Sequence, residues 1–329
     1  MPKKWVLATH YHYGKNLIGL KEAIHLSVMS STFQGLAKNK LANKMALRYG
    51  LKFGADRFVA GSKEEEAVRC VRELNNQGLL TMLNYLGEYV FTKEAADNAT
   101  NHCIRTLDLI SKNNLKSNLS VKITSLGVDI SKELCLQNLR KILNRARKDN
   151  IFVRIEMEDS SHCQVTLDIY KELRAEYENI GTVLQAYLHR TLGDIDDLNQ
   201  YNANLRLVKG AYKEPASIAF QDKLKVDENY LEMIKRHLLN GNYAGIATHD
   251  DRVVNEVKKL VVEHHIDINN FEFQMLHGIR GDLQKSLAAE GYRVRVYVPY
   301  GIDWFGYFMR RLAERPENVT FVLKNLFKK

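Results

Sequence analysis

At 329 residues, with 45% hydrophobic and 26% charged side chains, the chain has the make-up of a folded globular protein long enough to bury a full core. No apolar run reaches the roughly eighteen residues needed to cross a bilayer, and the N-terminal stretch lacks the pattern of a secretion signal, so a cytoplasmic protein is expected. The formal charge of +9 and four scattered cysteines, Cys70, Cys103, Cys135 and Cys163, point to neither a disulfide framework nor a metal site.

The charge is concentrated at the start: the first sixty residues hold ten Lys or Arg against only Glu22 and Asp56. Residues 1–65 read as short helices through LIGLKEAIHLSVM and LANKMALRYGLKFG, a basic N-terminal arm suited either to solvated helix faces or to peripheral contact with an anionic membrane. Few aromatic residues are interleaved with its lysines, so no stacking platform for nucleic acid is expected.

From residue 66 to 329 short β-rich runs alternate with charged stretches of helical period. The runs fall at 79–88, 119–127, 152–159, 182–188, 205–211, 244–250, 271–276 and 292–299, with segments such as LDIYKELRAEYEN and ENYLEMIKRHLL between them. Eight β–α alternations at intervals of about thirty residues predict a (βα)8 barrel. An open doubly wound sheet is the competing arrangement, but no G-x-G-x-x-G follows the first strand.

Polar residues recur within or just after these apolar runs: Lys122, Glu156, Glu158, Asp159, Gln185, Arg206, Lys209, Thr248, His249, Asp250, Gln274 and Tyr297. Burying any of them without a partner is costly. Parallel strands in a barrel deliver their carboxyl ends to one face, so the set predicts a site at that mouth. Arg206 suits a ring that gains negative charge, and Lys209 with Gly210 suits phosphate or ribose, the glycine allowing close backbone approach. Lys122 and Lys209 also leave open a Schiff-base enzyme of the aldolase kind, or simple ion pairing. A noncatalytic basic binding protein is the third alternative.

Past the eighth strand, GIDWFGYFMRRLAER predicts a helix with Asp303 as N-cap. Tyr307, Arg310, Arg311 and Glu314 share one side of it, an arrangement suited to a carboxylate, with Glu314 bracing an arginine; a solvated, salt-bridged face is the alternative.

The strings SVKITSLG, RIEMEDS, VLQAYL, RLVKGAYKE, ATHD, FEFQML, RVYVPYG and DWFGYFMRRLAERPENV resemble, in order and spacing, the bacterial monofunctional proline dehydrogenases from about residue 45 onward. The resemblance implies a distorted (βα)8 TIM-like barrel with N-terminal helices, noncovalent FAD at the carboxyl face, and a C-terminal helix over the mouth. It implies oxidation of L-proline to Δ1-pyrroline-5-carboxylate by hydride transfer from C5 to the flavin. Lys122, Arg310 and Arg311 would bind the substrate carboxylate, with Glu314 bracing the arginines and Tyr297, Tyr307 and Leu276 walling the ring. Arg206 would lie near flavin N5 and Met157 and Gln185 against the isoalloxazine. Lys209, Gly210, Ala211, Thr248 and His249 would line the rest of FAD, supported by Tyr212. Glu156 departs from the family, which usually has Asp there, and its longer arm could shift hydrogen bonds to Tyr297 or the arginines. The resemblance also suggests a quinone acceptor reached at the inner face of the cell membrane, and a separate pyrroline-5-carboxylate dehydrogenase downstream.

Overall fold

In the computed structural model, residues 57–87 and 89–314 are described, with side chains through Met309. Most of the expected arm, residues 1–65, therefore lies outside the described residues, as do the side chains of Arg310, Arg311 and Glu314. Eight strands alternate with helices: β1 (Leu80–Tyr85), β2 (Ser117–Val121), β3 (Val153–Ile155), β4 (Ile180–Gln185), β5 (Asn204–Val208), β6 (Ala244–Ala247), β7 (Phe271–Leu276) and β8 (Val294–Tyr300). All pair in parallel, each with its chain neighbour, and β8 returns to β1 through a ladder from Leu80↔Arg295 to Tyr85↔Tyr300. The result is the closed (βα)8 barrel expected from the alternation.

Helix α1 (Glu64–Asn76) precedes β1, and α2 (Lys93–Lys112), α3 (Lys132–Lys148), α4 (Ser160–Arg174), α5 (Thr191–Asn199), α6 (Lys223–Leu239), α7 (Asp251–Glu263) and α8 (Gly281–Ala289) fill the crossovers. Their starts follow local chemistry. Thr92, Ser131 and Asp222 each accept a hydrogen bond from an otherwise unpaired amide of the first turn, at Ala95, Leu134 and Leu224.

Strand alternation sorts the residues into two environments. On β5, β7 and β8 the apolar set Leu205, Leu207, Phe271, Phe273, Met275, Val294, Val296 and Val298 is buried. Together with helix residues such as Leu107, Leu139, Ile234 and Val257 it forms one hydrophobic core. The alternate residues Arg206, Glu272, Gln274, Arg295 and Tyr297 share the other face, where they interact with one another across the barrel. Two glycines make that polar filling possible. A Cβ on Gly181 would lie 2.4 Å from Arg154 Nη1, and one on Gly245 2.4 Å from Gln274 Nε2.

The chain divides into two compact units, Ala60–Gly301 and a second containing the described residues from Ile302 onward. The latter carries α9 (Trp304–Glu314), which begins one residue past Asp303. Trp304 and Phe308 pack edge to face with ring centroids 6.0 Å apart, and Phe308 lies 6.1 Å from Phe58.

Candidate active site

Arg206 on β5 is the centre of the barrel's polar interior. Its Nη1 donates to Glu156 Oε1 at 2.5 Å, Nε to Gln274 Oε1 at 2.6 Å, and Nη2 approaches Met82 Sδ at 3.0 Å. The guanidinium carbon lies 5.0 Å from the centroid of the Tyr297 ring. Met82, Glu156, Arg206 and Gln274 come from or just after strands one, three, five and seven, the alternate-strand layer that fills such a barrel. Glu156 Oε1 also accepts from Ser120 Oγ at 2.5 Å, and the Glu156 backbone N–H donates a hydrogen bond to Val121 O. The arginine that Glu156 reaches is Arg206, whereas the expected shift concerned Tyr297 or the pair Arg310 and Arg311, and the side chains of that pair lie outside the described residues.

Below this layer Gln274 Nε2 donates to Glu272 Oε1 at 2.6 Å, and Glu272 forms a two-point pair with Arg295, at 2.6 and 2.9 Å. Burial pushes the Glu272 carboxyl up, but the charge and hydrogen bonds of Arg295, with those of Gln274 and Tyr243, outweigh it and hold the group below its ordinary value. Arg154 is fully buried beside Asn204, to which Nη2 donates at 2.6 Å. Burial first, and then the charge of Arg206, lower it to about 10. Sequence reading missed Glu272, Arg295 and Arg154 as interior groups. The signal was present in the alternation of FEFQML and YRVRVYVP, where each charged residue shares the period-two face of Gln274 or Tyr297.

The carboxyl ends of the strands carry the remaining groups. Gln185 closes β4, and its Nε2 donates to the Glu158 carbonyl at 3.2 Å, which fixes the amide so that Oε1 points elsewhere. That oxygen is buried and has no hydrogen-bond partner among the described residues, which suits it to an N–H of a bound molecule. Glu158 is itself buried, accepting from the Thr124 amide at 3.1 Å and the Thr124 hydroxyl at 2.6 Å. Met157, between the two acids, is buried as well.

Beyond β5, Lys209 Nζ meets Asp227 Oδ1 at 2.6 Å and Asp250 Oδ2 at 3.2 Å. Gly210 follows with φ +106°, and a Cβ there would lie 2.1 Å from the Tyr187 ring. Ala211 is exposed and Tyr212 half-buried in the same loop. Strand β6 ends at Ala247, earlier than expected, so Thr248 and His249 sit in the loop behind it. Thr248 Oγ1 accepts from the Asp250 amide at 3.1 Å, and His249 Nε2 accepts from the Leu276 amide at 3.0 Å. That hydrogen bond makes Nε2 the unprotonated ring nitrogen and couples the loop after the sixth strand to the end of the seventh. Lys122, half-buried, follows directly on β2, where the chain turns into a 3-10 turn at Ile123–Leu126 rather than continuing as strand.

The structure therefore gathers Glu156, Gln185, Arg206, Lys209, Gly210, Thr248, His249, Leu276 and Tyr297 at the interior or carboxyl ends of one barrel. Tyr307 is a buried residue of the separate unit. The positions of the Arg310, Arg311 and Glu314 side chains fall outside the described residues.

A model of the family described as proline dehydrogenase matches residues 67–324. Proline dehydrogenase 1 of Bacillus subtilis (strain 168) is 50% identical over 302 residues, 92% of this chain and 100% of that protein. Proline dehydrogenase of Deinococcus radiodurans is 43% identical over 279 residues, 83% of this chain and 90% of its relative. Among solved structures, proline utilization A from Bdellovibrio bacteriovorus, inactivated by N-propargylglycine, superposes with a TM-score of 0.75 at 26% identity. That match covers 83% of this chain and 34% of the longer protein. With the family's sequence pattern running almost the whole length of a closed eight-stranded barrel, the chain belongs to the proline dehydrogenase family.

Proposed function

We propose that this chain oxidises L-proline to Δ1-pyrroline-5-carboxylate using FAD held at the carboxyl end of its barrel. The observation that carries this reading is a buried guanidinium, Arg206, anchored by Glu156 and Gln274, on the strand next to the one ending in the unpartnered acceptor Gln185 Oε1. A flavin fits that donor and acceptor set, because its planar ring offers an N–H to the amide oxygen and a region of growing negative charge to the arginine. The turn at Gly210, where no side chain can be accommodated, supplies backbone for close approach to a phosphate-bearing tail.

When bound, FAD supplies the two-electron acceptor for the hydride leaving C5 of proline. Arg206 places a fixed positive charge at the ring, and Glu156 keeps that guanidinium from reorienting. Met157 and Gln185 would hold the ring system. Lys209, Gly210, Ala211, Thr248 and His249 would line the remainder of the cofactor, with Tyr212 in support. Asp227 and Asp250 hold the Lys209 ammonium, which favours ion pairing over a Schiff-base role for that residue.

For the substrate, Lys122, Arg310 and Arg311 bind the proline carboxylate in this reading, with Glu314 bracing the arginines. Tyr297, Tyr307 and Leu276 exclude water from the reacting bond. A quinone would serve as the electron acceptor, and a separate pyrroline-5-carboxylate dehydrogenase would take the product. No described helix is long and apolar enough to cross a membrane. We assign the protein to the cytoplasm, with the basic N-terminal arm making peripheral contact with the inner face of the cell membrane.

Purified protein is expected to be yellow and its flavin band to bleach on anaerobic addition of proline. A colourless protein unable to take up FAD overturns the reading. Arg311→Met should raise the proline KM at least about tenfold, the loss of one charge-assisted contact, while flavin content stays unchanged. Parallel loss of flavin would refute that division of roles.

A further inference from the structure

We propose that Gln274 is a positioning residue that acts on the reaction through Arg206, its own amide being locked in one orientation by Glu272. The inference rests on the flavin reading of Arg206 above and extends it to a side chain deeper in the barrel. An amide can present oxygen or nitrogen to a neighbour, and the two choices have opposite consequences for an arginine. Here only one is satisfied. Gln274 Nε2 lies 2.6 Å from Glu272 Oε1, a carboxylate oxygen that accepts only, so the nitrogen must face Glu272 and Oε1 must face Arg206 Nε, at 2.6 Å.

Glu272 in turn has no freedom to release the amide. Arg295 grips both of its oxygens at 2.6 and 2.9 Å, and Tyr243 Oη donates to Oε2 at 3.0 Å. Arg295 is fastened to the adjacent strand β1 by a 2.8 Å bond from Nη1 to Thr81 O. Gly245 is the space that lets this arrangement exist, since any Cβ there would strike the Gln274 amide. Gln274 is 3% exposed and Glu272 1% exposed, so neither bond is weakened by exchange with bulk water.

The consequence is a division of labour at Arg206. Glu156 neutralises part of its charge through Nη1, whereas Gln274 orients it through Nε without adding negative charge. A neutral acceptor keeps the guanidinium's field available to a bound ring, and a carboxylate at the same position would cancel much of it.

The experiment compares flavin-loaded wild type with Gln274→Met, Gln274→Glu and Gly245→Ala, measuring flavin midpoint potential, the rate of flavin reduction by proline, proline KM, and Tm. Gln274→Met is expected to slow reduction at least about tenfold and Gln274→Glu to do so more strongly, with KM within about threefold of wild type. Gln274→Glu should also lower the midpoint potential by about 30 mV, a tenfold change in the two-electron equilibrium. Gly245→Ala, which displaces the amide without removing it, should shift reduction in the same direction and should not add to Gln274→Met in the double variant. If Gln274→Met fails to fold, Gln274→Glu and Gly245→Ala decide. Variants with lowered Tm but unchanged potential and reduction rate would show a merely structural residue and overturn the proposal, as would KM and reduction rate falling off together in proportion. A wild-type protein that holds no flavin overturns the proposed function itself, and this inference with it. A flavin-loaded wild type whose variants keep its potential and rate defeats only the role of Gln274.

Discussion

Glu156 Oε1 stands 2.5 Å from Arg206 Nη1 and 2.5 Å from Ser120 Oγ, so one carboxylate oxygen ties the loop after the third strand to the second and fifth strands. The pair is nearly sequestered, with 12% of the Glu156 side chain and 7% of that of Arg206 accessible. Removing one member of such a pair leaves a charge in a medium that solvates it poorly, at a cost of about 3 kcal/mol. Glu156→Ala should therefore lower unfolding stability in urea by about that amount and reduce proline turnover more than tenfold. Glu156→Asp keeps the charge and shortens the reach, and should retain flavin with activity within about tenfold of wild type. An alanine variant as stable as the parent would show that the pair contributes nothing net.

Gly210 takes φ +106°, and the nearest atom to an added Cβ would be Tyr187 Cδ1 at 2.1 Å. Gly210→Ala combines backbone strain with a clash against a buried ring, and should lower both Tm and FAD occupancy. Tyr187→Ala in the same chain removes every clashing ring atom and leaves the strain, so it should restore occupancy in part. Full FAD loading by Gly210→Ala alone would contradict the assignment of this turn to the cofactor.

His237, on α6, gives the fold a pH dependence of definite sign. Burial drives its imidazole down from 6.5 to about 4, against the opposing effect of the Tyr243 carbonyl 3.1 Å from Nε2. The folded state prefers the neutral ring, so its contribution is complete above pH 6.5 and is lost as the pH falls toward 4. The full loss amounts to about 3 kcal/mol. His237→Gln should flatten the decline of urea-unfolding free energy across that window. An unchanged slope would assign the decline to other groups.

Much of this architecture is legible along the chain because its causes are local. Period-two runs such as FEFQML and helical-period stretches such as ENYLEMIKRHLL reflect side-chain geometry within a few residues, and each of the eight strands overlaps one expected run, the second only at 119–121. The motifs from SVKITSLG to the RRLAE helix carried the family in the same way. Strand ends were less legible. The third strand ends at Ile155 and the sixth at Ala247, each after one further amide has reached the neighbouring strand, Glu156 to Val121 O and Thr248 to Gln274 O.

Which polar side chains meet was decided by closure of the barrel. Arg206 finds Glu156, Gln274 and Met82 at separations of 50, 68 and 124 positions along the chain. Those meetings depend on the register of every intervening strand pair and on the β1–β8 seam. A residue's own neighbours determine whether it faces inward, but a closed ring of eight strands determines what it faces, and so makes the site from an arginine, two acceptors and a sulfur that the sequence holds far apart.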